Sequence, residues 1–174
     1  DKPQINDTTS LAVGEDIVYG STTPEGLYAD QQSSVTEVYP QSLPNYVDNS
    51  QSKSFPPVRN QGELNSCASF ATVYYQMTYM YGLANNWDAK NDPNDLHKFS
   101  PKWTYNMLNY GNDGGSSELG ALQILSEAGG ATWNEFPYQD SRSDPRNYTE
   151  WCDNATVWKN ATYRRVDKIG RITS

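Results

Sequence analysis

Cys67 stands where a loop passes into an amphipathic stretch, and Gln61 precedes it by six residues. That placement bears on the chemistry of the thiol. The backbone N–H groups at the start of a helix favour an anion, so a thiol there is expected to have a lowered pKa and more thiolate. Gln61 carries a side-chain amide that can fold back beside the sulfur. With the backbone N–H of Cys67, such an amide makes an oxyanion hole for acyl transfer. Residue types leave a second reading open, in which Cys67 is a small buried apolar residue of the helix.

Other chemistry-bearing residues are few. The chain has two cysteines, Cys67 and Cys152, and one histidine, His97. Two cysteines make neither a disulfide scaffold nor a tetrahedral zinc site. Cys152 is expected as a lone thiol unless it pairs beyond residue 174 or with Cys67, and the second pairing would end the case for a nucleophile. Asp88, Asn91, Asp92, Asn94 and Asp95 crowd one stretch and offer oxygens for calcium. Lys90 and Pro93 break the spacing of an EF-hand loop, so a solvated loop is the expectation, with no metal and no cofactor. Asn-x-Thr sequons at Asn6, Asn147, Asn154 and Asn160 are about as many as the Asn, Ser and Thr content gives by chance.

These residues need elements to hold them. Pro56-Pro57 forces an extended entry. Phe70, Val73, Met77 and Met80 recur at helical spacing, which predicts a helix over 66–81 with Gly82 as its stop. Asn85 to Lys98 reads as a polar loop. Ser100-Pro101 is an N-cap with a first-turn proline, opening a short helix to about Asn109. The run 111–115 is an irregular turn. A third helix is expected over 117–128, with Leu119, Leu122 and Leu125 on one face and Gly129-Gly130 closing it. Beyond 131 the periodicity is weak, and 157–165 and 168–172 are expected as strands. Three short helices make a small core, as expected of part of a larger unit.

The whole chain has 174 residues, 36% hydrophobic and 20% charged, with 13 Tyr, 5 Trp and a net charge of −8. It is too aromatic for a disordered chain, although a mean hydropathy of −0.82 leaves room for an unpacked segment. The acidity is uneven. Residues 1–42 hold seven acids against Lys2, a charge of −6, and the other 132 residues carry −2. Residues 1–42 therefore read as an extension or pro-region remnant, or equally as a flexible acidic tail, in which only 11–19 and 35–39 suit short strands. Without a basic stripe, an acidic chain argues against nucleic acid and against anionic membranes as partners. No apolar run approaches the length of a spanning helix, and no basic n-region with an apolar h-region opens the sequence, so any signal peptide is expected to have been removed already or left off.

The text around the cysteine, Pro57-Val58-Arg59-Asn60-Gln61-Gly62-Glu63-Leu64-Asn65-Ser66-Cys67-Ala68-Ser69-Phe70-Ala71, resembles the active-site segment of papain-family cysteine peptidases. The likeness runs in order along residues 43–170. Leu43-Pro44-Asn45-Tyr46-Val47-Asp48 is similar to the start of the mature enzymes, Phe99-Ser100-Pro101 to a helix opening, and Gly111-Asn112-Asp113-Gly114-Gly115 to a glycine-rich substrate loop. The stretch from Gly120 to Phe136-Pro137-Tyr138 is similar to the next helix and its exit. The resemblance implies an α+β, papain-like fold, with residues 43–174 as mainly the helical half-domain. It implies Cys67 as nucleophile, Gln61 as oxyanion donor, and Gly114-Gly115 as backbone that pairs with a substrate peptide. Asn65 and Ser66 would flank the cleft, with Ser116 and Ser117 at the mouth of a side-chain pocket.

The family pattern around the nucleophile is Cys-Gly-[Ser/Ala]-Cys-[Trp/Tyr], and here only Ser66 and Cys67 fit it. Leu64 replaces the first cysteine, and Asn112 stands where the partner of that cysteine would be, so both ends of one family disulfide are missing together. Ala68 replaces the aromatic that shields the catalytic pair, and Asn65 puts a side chain on the rim.

A cysteine peptidase needs an imidazole to hold the thiolate and protonate the leaving amine. His97 lies in the polar stretch before the second helix and is expected to be a surface residue. The family places its histidine and asparagine roughly 130 to 150 residues after the cysteine, beyond residue 174 here. The expected partners are a peptide or protein substrate and a second half-domain carrying His and Asn, whether as a separate chain after a nick or as a missing remainder. The expected protein is a secreted cysteine endopeptidase working through a thioester acyl-enzyme. The alternative is a catalytically inactive papain-like module that binds peptides or protein partners.

Overall fold

The stretch that opens at Cys67 is a continuous helical run. In the computed structural model, which describes residues 45–167 and 169, α1 (Cys67–Ser69) leads into a π-helical segment (Phe70–Met77) and then α2 (Thr78–Asn85). The Thr72 hydroxyl donates to the Ala68 carbonyl at 2.8 Å, and that of Thr78 lies 3.5 Å from the Val73 carbonyl. Such back-bonding competes with the regular ladder. Gly82 does not end the run. A Cβ there would meet the Ser54 Cβ at 3.0 Å, so glycine lets the 52–55 turn lie against the helix. The run stops at Asn86, whose φ of 58° is left-handed, a conformation asparagine tolerates.

Further helices follow as α3 (Pro101–Leu108), α4 (Glu118–Glu127), α5 (Arg146–Thr149) and α6 (Ala155–Thr162). Ser117 caps α4 by accepting from the Gly120 N–H at 3.1 Å. Ser100 precedes α3 but makes no such bond, and its buried hydroxyl has no hydrogen-bond partner. The expected strand over 157–165 is instead mostly α6. Asn154 begins it by accepting from the Thr156 N–H at 2.9 Å, and Val157 and Ala161 form its buried face. No strand element occurs among the described residues, and an isolated antiparallel bridge pairs Phe99 with Thr132. The described protein is thus helix-rich, without the sheet of an α+β fold. The expected extension 1–42, with its segments 11–19 and 35–39, lies outside the described residues, as do Leu43, Pro44 and nearly all of 168–172.

Three apolar clusters hold these elements. Val73 and Met77 of the π segment meet Phe99 and the Ala121, Leu122 and Leu125 face of α4. Leu64, Phe70, Tyr74, Tyr105 and Tyr138 form a second cluster directly beneath the cysteine loop. Trp103 packs with Ala131, Phe136, Val157 and Ala161, drawing α6 onto α3. A Cβ at Gly129 would lie 1.8 Å from the Ala161 carbonyl oxygen, at φ +75°, so only glycine lets the end of α4 meet α6. The Glu135–Arg164 ion pair, at 2.5 Å, closes the same corner. No helix among the described residues is long and apolar enough to cross a membrane.

Candidate functional site

Cys67 is the first residue of α1 and is half-buried, and no disulfide joins it to Cys152. The loop before it is tightly held. The Gln61 side-chain amide donates to the Leu64 carbonyl at 2.8 Å, folding across its own loop. An amide nitrogen has two protons, so this bond uses one of them. The Tyr138 hydroxyl donates to the Gln61 carbonyl at 2.6 Å and lies 2.8 Å from the Ser66 hydroxyl. With its single proton spent on Gln61, Tyr138 accepts from Ser66. Gly62 has φ +67°, and a Cβ on it would fall 2.3 Å from the Asp140 Cβ, so the 138–142 segment presses against the loop at glycine.

The glycine-rich loop reaches the cysteine loop through Asp113. Its carboxylate accepts from the Asn65 backbone N–H at 2.8 Å, and its carbonyl accepts from the Asn65 amide at 2.7 Å. Tyr105 of α3 donates its hydroxyl to the same carboxylate, and the Gly115 N–H faces that hydroxyl. Arg142 donates from Nε to the other carboxylate oxygen at 2.6 Å and from Nη2 to the Glu63 carbonyl at 2.6 Å.

The electrostatics of the thiol run against the expectation from its helix-start position. Burial pushes the Cys67 thiol above its ordinary value, and the Glu118 carboxylate adds to the effect. The N–H groups of Ala68 and Cys67 act in the anticipated direction but are outweighed.

Gln61, Asn65, Ser66, Cys67 and the 114–116 segment therefore belong to one constellation, with changes in detail. Ser116 and Ser117 do not line an open mouth. Ser116 is 2% exposed with its hydroxyl 3.5 Å from that of Ser69, and Ser117 is the buried cap of α4. Gly115 is buried at φ +101°, and Gly114 is exposed. Ala68 is buried within the helix, and the Asn65 side chain is committed to Asp113. His97 belongs to another cluster: its ring lies 5.0 Å from that of Trp87, Nδ1 is 3.9 Å from Asp92, and the side chain is 41% exposed.

The polar stretch before α3 is more ordered than a solvated loop. Lys98 is 2% exposed and donates to the Asp92 carbonyl and the Asp95 carboxylate. Asp88 is engaged by Asn91, Asp92 by the N–H groups of Asn94 and His97, and Asp95 by Arg59 as well. Among the described residues no three His, Cys, Asp or Glu side chains gather as a metal group. Of the sequon asparagines, the Asn147 and Asn160 amides donate to the Ser141 carbonyl and to Glu135, while Asn154 is exposed. A cleft of about 440 Å³ opens beside the cysteine loop, between Arg59, Trp133, Tyr138 and Asp140.

Sequence reasoning missed Asp113, Tyr105 and Arg142 as members of this constellation. They join segments up to 79 residues apart, and no local spacing signals such partners. Compared with models of known protein families and with curated proteins, the chain matches none.

Proposed function

We propose that the protein is the cysteine-bearing part of a papain-like cysteine endopeptidase. In this reading Cys67 attacks a peptide carbonyl, forming a thioester and releasing the amine. The second proton of the Gln61 amide and the Cys67 backbone N–H take up the oxyanion charge. A histidine outside the described residues, on a second half-domain of an α+β enzyme, removes the thiol proton and returns it to the leaving amine. The exposed backbone at Gly114 pairs with the substrate peptide, and the cleft beside Arg59 and Trp133 offers room for its flanking residues. A secreted location accompanies the reading.

The observation that carries it is a helix-start thiol directly following the Gln61 loop, which Asn65 ties by hydrogen bonds to the glycine loop at Asp113. The raised thiol sets a condition on this reading. Burial and Glu118 disfavour the thiolate, so catalysis needs a cation brought to the sulfur, the role the reading gives to the missing imidazole. The test is cleavage of fluorogenic peptides by the protein isolated from its source, with any tightly bound second polypeptide retained. Hydrolysis that is abolished in Cys67→Ser supports the reading, and hydrolysis unaffected by that substitution refutes it.

A catalytically inactive module that binds peptides or protein partners is the second reading. The raised thiol and the Gln61 amide's commitment to Leu64 favour it. It predicts peptide binding without turnover, unchanged in Cys67→Ser.

A further inference from the structure

We propose that Asp113 is a positioning residue that holds the cysteine loop in register with the glycine loop, a noncovalent staple between two segments of the site. The inference rests on the reading of Cys67 and Gly114 as parts of one site. Four groups converge on this single residue. The backbone N–H and the side-chain amide of Asn65 fix the cysteine loop two residues before the thiol. The Tyr105 hydroxyl, which the Gly115 N–H faces, bonds the carboxylate and anchors the glycine loop to α3. Arg142 bonds the remaining carboxylate oxygen and reaches on to the Glu63 carbonyl.

The Asp113 side chain is 8% exposed, so these bonds form in a site mostly shielded from water. Bonds to an ionised acceptor are about twice as strong as neutral ones, and bonds that share one acceptor group act as a unit. Leu64 and Asn112, beside the two bonded residues, carry no sulfur that could tie these loops covalently. The Asn65–Asp113 contacts supply a connection at that point. The Asn65 side chain on the rim is therefore a structural tie between the two loops.

The test uses the whole chain without substrate, with amide hydrogen exchange and the rate of Cys67 alkylation by iodoacetamide as readouts. In Asp113→Ala, exchange at Asn65 and Gly115 accelerates about tenfold or more, and alkylation rises severalfold as water reaches the half-buried thiol. In Asp113→Asn, which keeps an oxygen for Asn65 and Tyr105 but loses the charge facing Arg142, most of the protection returns. Tyr105→Phe combined with Asp113→Ala adds little to the alanine change, because both interrupt one network. Unchanged exchange at Asn65 and Gly115 in a folded Asp113→Ala chain overturns the proposal. So does uniform acceleration of all core amides in both Asp113 variants, which would show a general stability role. Neither readout depends on turnover, so a lack of peptidase activity counts against the proposed function and leaves this inference standing.

Discussion

The hydroxyls of Tyr138 and Ser66 lie 2.8 Å apart across 72 residues of sequence, immediately before the helix that Cys67 begins. Tyr138 is buried and also donates to the Gln61 carbonyl, so a single hydroxyl fixes both ends of the 61–66 loop. Tyr138→Phe keeps the ring in its cluster with Phe70 and Leu64 and removes both bonds. The expected cost is about 1–2 kcal/mol in urea unfolding, with faster amide exchange confined to the cysteine loop.

Glu135 sets an acid limb of stability. Burial works against its carboxylate, but the Arg164 guanidinium, the Thr132 N–H and the Asn160 amide together bring its pKa down to about 2 from an ordinary 4.5. A carboxyl depressed on folding stabilises the native state above its unfolded pKa and loses that contribution as pH falls towards the folded value. The loss here falls between about pH 5 and pH 2, and amounts to about 2 kcal/mol after allowance for residual solvent screening. Glu135→Gln should lower the unfolding midpoint at pH 7 and flatten its fall over that window, as followed by thermal denaturation at a series of pH values.

Gly129 and Gly111 separate steric conflict from backbone strain. Both have φ +75°, but a Cβ at 129 meets the Ala161 carbonyl oxygen at 1.8 Å, and at 111 it meets nothing within 4 Å. Gly111→Ala should cost about 1–2 kcal/mol, the strain of a left-handed alanine. Gly129→Ala should cost at least about 3 kcal/mol, because α4 and α6 must also move apart. Parallel urea melts give the comparison.

The thiol has its own pH signature. Burial and Glu118 push the Cys67 thiol up, so alkylation of the chain without a partner should gain rate only at alkaline pH. Glu118→Gln removes a nearby anion that opposes the thiolate and should raise the rate a fewfold at pH 8. A histidine-bearing partner should move reactivity into mildly acidic solution, where an ordinary thiol is protonated. Iodoacetamide kinetics across pH, with peptide mapping to separate Cys67 from Cys152, read all three.

Local signals marked α3 and α4 well, because the first-turn Pro101, the leucine face and the Gly129 stop act within a few residues. They also placed the helix start at Cys67. Gly82 misled because its role is set by Ser54, a contact made from elsewhere in the chain. Val157 and Trp158 suit a strand as well as a helix, but the Asn154 cap and the apolar seat beside Trp103 decide for α6. The site divided in the same way. Cys67 and Gln61 stand out through their position before a helix. Burial of Ser116 against Ser69, and the meeting of Asn65, Tyr105 and Arg142 at Asp113, depend on long-range packing that no motif encodes.

The most direct test of the central claim is mass-spectrometric mapping of a peptidyl epoxide adduct on the source-isolated protein at about pH 6. The account predicts one adduct, on Cys67, whose formation is slowed by a competing peptide and abolished by Cys67→Ser. Labelling of Cys152 at an equal rate, or no adduct on Cys67, would contradict it.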